Sequence, residues 1–172
     1  MLKSSTQLKI HTFQPSDTEA VHHLFARGMM DFAAGFEEDI RAYVRHSLAD
    51  DLADIPSHYL KEPGGHFWVA ELDGQVVGMV GIQRRSDAEA ELRRMSVASE
   101  ARRQGIGWKL LEATETFCRE QGYQRIRLTT VDLLQPAIAM YQKFGFQLVG
   151  EERYGQIVGK HFVKNLTNQE PG

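Results

Sequence analysis

Cysteine is nearly absent from this sequence: one thiol, Cys118, stands among 172 residues, so no internal disulfide can form and no thiolate cage can hold a metal. A reducing, cytoplasmic setting is the expectation that follows. Long apolar runs are missing too. The stretch from Met29 to Phe36 is broken by Asp31 and Gly35, far short of the roughly 18 continuous apolar residues of a membrane span. Neither a membrane span nor a signal peptide is expected. The sequence has no internal repeat, no low-complexity tract and no Pro/Gly/Ser linker, so a single domain over residues 1–172, with a core from about residue 9 to 166, is expected. A large excess of one charge is also lacking. With 20 Lys and Arg against 23 Asp and Glu the formal net charge is −3, which argues against a protein held to nucleic acid by its phosphate backbone. Seven histidines are present without metal-ligand spacing, and no metal is expected.

The charge that is present is unevenly distributed. Residues 1–82 carry 6 Lys/Arg and 12 Asp/Glu, whereas residues 83–172 carry 14 and 11. An anionic ligand would therefore belong to the second half, where Arg84-Arg85, Arg93-Arg94, Arg102-Arg103 and Lys109 cluster. A solvated charged face is the ordinary alternative for such a run.

Lys9 to Phe13 reads as a short strand, and Ser16-Asp17-Thr18-Glu19 has the spacing of a capping box that opens a helix with Ala20, Leu24 and Phe25 on its inner face. An acidic start predicts a second helix over Glu37 to Leu52, with a short turn of helix at Pro56. The period then changes to two. His66 to Leu72 and Gln75 to Gln83 flank Asp73-Gly74, the signature of a two-residue hairpin turn, and Glu89 to Val97 follows as a third antiparallel strand. A long helix is predicted from about Gly105 to Gln121, then a strand over Arg125 to Thr130, a helix opened by Pro136, and a closing hairpin around Tyr154-Gly155. The fold class is α/β (α+β): a mixed, mostly antiparallel sheet flanked by helices.

The sharpest local feature is Arg102-Arg103-Gln104-Gly105-Ile106-Gly107, between a strand and a long helix. Two glycines spaced by one residue permit a tight turn that leaves amide N–H groups free at a helix N-terminus, a ready anion site. A Walker A loop would need Gly-Lys-Ser/Thr, and Trp108-Lys109 follows Gly107 instead. A dinucleotide fingerprint would need a small residue at Leu110 and a preceding parallel unit. A capping turn with surface arginines remains the alternative to an anion site.

Glu91-Leu92-Arg93-Arg94-Met95-Ser96-Val97, followed by Arg102-x-x-Gly105-x-Gly107 and then by Ala137-Ile138-x-x-Tyr141-x-x-x-Gly145-Phe146, resembles the GCN5-related N-acetyltransferase (GNAT) superfamily, over about residues 66–165. One departure is Leu134, where members often carry Asn. The resemblance implies a splayed strand pair forming an acetyl-CoA cleft. It places the pyrophosphate on Arg102, Arg103, Gln104, Gly105, Ile106, Gly107 and Trp108, and the pantetheine arm along the strand at Met95, Ser96 and Val97. Acetyl-CoA would be a cosubstrate, with direct transfer to the primary amine of a small molecule or peptide. Tyr141, which would also touch the cofactor, corresponds to the family's general acid. Glu91 corresponds to a catalytic glutamate of some members.

The chemistry asks for such groups. An alkyl ammonium with a pKa near about 10.4 must lose a proton before it can attack. Strand alternation would put Glu91, Arg93, Met95 and Val97 on one face. A surface carboxylate paired with an arginine is the other reading of Glu91, and Glu89 and Asp132 are substitutes as base. Met29, Phe32, Phe36 and Tyr154 are candidate acceptor contacts in regions where the family places its acceptor. Cys118 is expected to be a packed thiol. A non-catalytic acyl-CoA-binding or protein-interaction module of the same fold is the alternative function, and exposed strand edges allow a homodimer.

Overall fold

The computed structural model describes residues 7–167. The chain begins with β1 (Leu8–Thr12), α1 (Thr18–Met30) and α2 (Glu37–Ala49), then runs through short helical turns at Asp51–Ala53 and Pro56–Leu60. The strands β2 (His66–Leu72), β3 (Gln75–Arg84) and β4 (Glu89–Val97) follow, then α3 (Ile106–Glu120), β5 (Arg125–Val131), α4 (Gln135–Phe144), β6 (Gln147–Tyr154) and β7 (Ile157–Asn165). Seven strands form one sheet in the order β1-β2-β3-β4-β5-β7-β6. Among the described residues only β4 and β5 pair in parallel, so the expected mixed, mostly antiparallel sheet is present.

Local chemistry accounts for the central meander. Asp73 and Gly74 adopt φ of 52° and 81°, the positive values a two-residue turn needs if its twist is to match the strands it joins. The middle of β3, Val77–Ile82, is buried along its whole length and carries helical structure on both faces. A Cβ at Gly78 would meet Leu110 of α3 at 3.0 Å, whereas one at Gly81 would meet the Tyr59 ring at 2.6 Å on the opposite side. Ile106, Leu110, Leu111, Thr114 and Cys118 form the buried stripe of α3, and a fully buried leucine of this kind contributes about 1.5–3 kcal/mol.

Three local expectations differ from the structure. The Ser16/Glu19 box does not form; a helical turn at Pro15–Asp17 precedes α1, and the Asp17 carboxylate accepts from the Gln14 N–H at 2.9 Å. Val21 rather than Ala20 joins Leu24 and Phe25 inside, since residues 21, 24 and 25 fall at the i, i+3, i+4 spacing of one helix face. The second helix ends at Ala49, where Asp50 leaves helical geometry and lets the chain turn Asp51 inward. Among the described residues no helix is long and apolar enough to cross a membrane.

Candidate functional site

The site begins where β4 is irregular. Met79 pairs with Ser96 and Gly81 with Arg93, so two residues, Arg94 and Met95, oppose Val80 in a β-bulge. The extra residue reverses the side-chain alternation. Glu91 and Arg93 share a face with Ser96, and Leu92 shares one with Val97. The expected common face of Glu91, Arg93, Met95 and Val97 therefore breaks after Arg93.

Arg94 adopts φ of 60°, a region that costs an L side chain about 1–2 kcal/mol. A buried network holds it there. Its guanidinium contacts both Asp51 oxygens, at 2.5 and 3.0 Å, and donates to the Tyr43 hydroxyl at 2.9 Å and to Ser47 Oγ at 3.0 Å. Tyr59 donates its hydroxyl proton to the same Asp51 carboxylate. The side chains of Arg94 and Asp51 are 5% and 2% exposed. Burial opposes the Asp51 charge, but the donors from Arg94 and Tyr59 outweigh it and hold the carboxyl below its ordinary pKa.

Beyond the bulge the sheet opens. β4 and β5 pair only through Glu89–Arg125, Ala90–Ile126 and Glu91–Arg127, after which they diverge, as the expected splayed pair does. From Leu92 onward the β5-facing edge of β4 has no strand partner, and an extended ligand carrying amides can take the place of the missing strand. The opening is a cleft of about 470 Å³ that gathers Glu91, Met95, Thr129, Leu134, Tyr141 and Tyr154. Met29, Asp39 and Tyr43 line it from α1 and α2.

The other expected acceptor residues lie elsewhere. Phe32 sits under the Arg102 guanidinium, 4.9 Å from its ring centroid, and Phe36 packs on the core at the start of α2.

At the mouth of α3, Arg103 and Gly105 adopt φ of 66° and 77°, and the exposed Arg103-Gln104-Gly105 segment forms the outside of the turn. A Cβ at Gly105 would meet nothing within 4 Å. Lys109 donates to the Gly105 carbonyl, so the amides of Ile106, Gly107 and Trp108 precede the first helical hydrogen bond. They point out of the positive end of a helix of 15 residues. Gly107 has a packing reason as well, since its Cβ would lie 2.7 Å from the Met140 sulfur of α4. The Trp108 ring packs on Phe144 at 4.8 Å, leaving its amide as its contribution to the turn. Ser96 directs its hydroxyl toward Gly28 of α1. These features fit an anionic, amide-bearing ligand running from the turn into the cleft.

The arginine cluster is dispersed rather than pooled on that ligand. Arg84 pairs with Asp87 and Arg85 with Glu91, while Arg93 donates to Gln83. Arg94 is the buried strut. Arg102 reaches the Val97 carbonyl and Asp31, both at 3.3 Å.

The two reactive candidates face the same cleft. Glu91 is 19% exposed and 2.9 Å from Arg85, so it is at once a cleft carboxylate and half of an ion pair. Tyr141 has a buried ring packed edge-on against Phe146 at 5.9 Å, and its hydroxyl has no hydrogen-bond partner among the described residues. Burial pushes its phenol above the ordinary range, keeping the proton on oxygen. The substitute bases are occupied. Burial would raise the Glu89 carboxyl, but Arg125 at 2.7 Å and Arg127 at 3.1 Å hold it low. Asp132 accepts the Val158 N–H at 3.1 Å. Burial, with Glu115 nearby, pushes the Cys118 thiol up to about 12, so it is no nucleophile at neutral pH.

His11, Asp17 and Glu71 bring three metal-type donors within 4.8 Å of one another, but Glu71 already contacts His11 Nε2 at 3.0 Å and the Gln14 amide occupies Asp17. Sequence reasoning missed Asp39, Tyr43, the Asp51–Arg94 network and Thr129. None of these carries a local motif, and only strand register and helix placement bring them to the site.

A family model described as the acetyltransferase (GNAT) family matches residues 19–146. Human N-acetyltransferase 8 is 36% identical over 141 residues, 76% of this chain and 62% of its own length. The rat N-acetyltransferase 8 is 42% identical over 114 residues, 63% of this chain and 51% of its own. The chain thus spans about half to three fifths of the length of these relatives. Among solved structures, a GNAT-family acetyltransferase from Staphylococcus aureus Mu50 superposes with a TM-score of 0.78 at 24% identity, covering 93% of this chain and 99% of that one. The PaiA N-acetyltransferase from Thermoplasma acidophilum, solved with coenzyme A, gives 0.77 at 20% identity, covering 92% and 99%. Both share the fold described above.

Proposed function

This chain belongs to the GNAT acetyltransferase family, and on that premise we propose that it transfers acetyl from acetyl-CoA directly to the primary amine of a small molecule or peptide. The observation that carries this reading is the divergence of β4 and β5 after Glu91 and Arg127, which gives Glu91, Met95 and Tyr141 one common cleft. The amides at the start of α3 and the turn from Arg102 to Gly107 would hold the pyrophosphate. The unpaired edge of β4 at Met95 to Val97 would hold the pantetheine, and the bound cosubstrate supplies an activated acetyl thioester.

The chain's own groups manage charge and protons. The N–H donors at the α3 N-terminus offset the negative charge of the ligand without a metal ion. Tyr141 keeps its proton and offers it to the departing thiolate. Glu91 and Asp39 present carboxylates to an incoming ammonium, and Glu91 would take the proton that the nitrogen sheds as the amide bond forms. Apolar walls at Met29, Ile40, Leu128 and Leu134 exclude water from the thioester.

A thiol-release assay over a panel of amines tests the proposal. Acetyl-CoA with at least one amine class is expected to liberate free CoA at a rate that saturates in both substrates, with intersecting rather than parallel double-reciprocal lines. Binding of acetyl-CoA without thiol release from any amine would favour the non-catalytic binding module instead.

A further inference from the structure

β5 and the final hairpin together carry a hydroxyl–imidazole–carboxylate chain that opens on the cleft. Thr129 of β5 pairs with His161 of β7, which in turn pairs with Gly150 of β6, so all three lie side by side across the sheet. Thr129 Oγ1 is 2.9 Å from His161 Nδ1. His161 Nε2 lies 3.4 Å from Glu152 Oε1, off-line, so that this nitrogen is buried without a formed hydrogen bond. Tyr154 donates its hydroxyl to the other Glu152 oxygen at 2.5 Å. Thr129 at one end and Tyr154 at the other both line the cleft that holds Glu91 and Tyr141.

Resting on the acetyl-transfer reading above, we propose that His161, held between Thr129 and Glu152, accepts the proton that the acceptor ammonium must lose before it attacks the thioester. An ammonium nitrogen sheds two protons in becoming an amide. One reprotonates the CoA sulfur and the other must go to solvent. Glu91 is already paired with Arg85, whereas His161 Nδ1 meets only a hydroxyl. With the ring proton on Nε2 facing Glu152, Nδ1 is left as an acceptor. The ammonium N–H bond breaks and its proton moves to Thr129 Oγ1, while the Thr129 O–H proton moves to Nδ1. The amine keeps its electron pair, and the resulting imidazolium lies against the Glu152 carboxylate. The proton leaves through Thr129 to water when the product departs.

The surroundings leave this unit to itself. On the same side of β5, Arg127 is engaged by Glu89. Lys160 and Lys164 of β7 are taken by Glu151 and Glu115. Across the cleft stand Glu91, Arg93 and Asp39. Glu152 is the one charged group in contact with the ring among the described residues.

The test is the pH profile of kcat/KM with an amine that the thiol assay shows to be turned over. The wild type is expected to show an ascending limb that reports the base form of the group receiving the acceptor's proton. His161→Gln and Thr129→Val should both lose that limb while retaining acetyl-CoA affinity and melting temperature. Glu152→Gln, at a position 59% exposed, should keep the limb, because the imidazole and the Thr129 hydroxyl that contacts it both remain. Free imidazole should restore the rate of His161→Ala. Unchanged profiles in an active wild type and its His161 and Thr129 variants would overturn the relay and leave the transferase reading intact. Absence of turnover by the wild type with every amine would overturn both.

Discussion

Arg94→Met is expected to cost about 3–5 kcal/mol of folding stability, the range for breaking a buried ion pair from one side. The substitution leaves Asp51, 2% exposed, with the Tyr59 hydroxyl as its one side-chain hydrogen-bond donor among the described residues and the Arg93 guanidinium 3.9 Å away. It also frees the bulge from the network that offsets its positive φ. Arg93→Met is the control, since Arg93 is 28% exposed and stands 3.9 Å from the same carboxylate; it should cost no more than about 1 kcal/mol. Denaturant midpoints would show the difference. pH provides a second signature. The native carboxyl of Asp51 is held below its ordinary value of 3.8, so its contribution is complete above that value and is lost as pH falls through the native one. In Arg94→Met the carboxyl loses the partner that depressed its pKa, and burial then drives it upward. The gap between wild type and variant should therefore narrow in acid. A constant gap, or a loss no larger than that of Arg93→Met, would show that the pair does not hold the bulge.

Tyr141→Phe is expected to lower kcat by about 10²- to 10⁴-fold, the contribution of a positioned general acid. Stability and acetyl-CoA affinity should change little. The ring remains buried against Phe146, and the missing hydroxyl had no partner among the described residues to leave unsatisfied. Because burial raises the phenol above its ordinary range, the wild type should show no alkaline loss of this function until well past neutrality. The rate of thiol release at saturating amine measures it. A variant within twofold of wild type would reduce Tyr141 to a packing residue.

The elements read most clearly in the sequence were those with local causes. Asp73-Gly74 between two period-two runs set the register of β2 on β3, and the two glycines before Trp108 marked the start of α3. The bulge was invisible because Arg93-Arg94 looks like any solvated pair; only the arrival of Asp51, 43 residues earlier in the chain, makes one of the two a buried strut. Three arginine pairs that looked like one patch separate likewise, with Arg84, Arg85, Arg94 and Arg102 drawn to four different carboxylates. The relay at His161 depends wholly on register. Thr129 is 32 residues from His161, and β7 inserts between β5 and β6, an order no local pattern announces. Phe32 and Phe36 misled because an apolar cluster between two helices has both a core face and a cleft face, and Met29 alone of that cluster reaches the cleft.

The central claim is that the turn before α3 and the open edge of β4 together bind acetyl-CoA. It is tested most directly by backbone amide chemical shifts recorded during titration with acetyl-CoA. The largest changes are expected at Arg103 to Trp108 and at Met95 to Val97, with smaller ones at Leu134 and Tyr141, and inorganic pyrophosphate should reproduce the first group alone. Saturating acetyl-CoA that leaves those amides unmoved, or that shifts residues lining the separate pocket between α1 and the β2–β3 turn instead, would contradict the account.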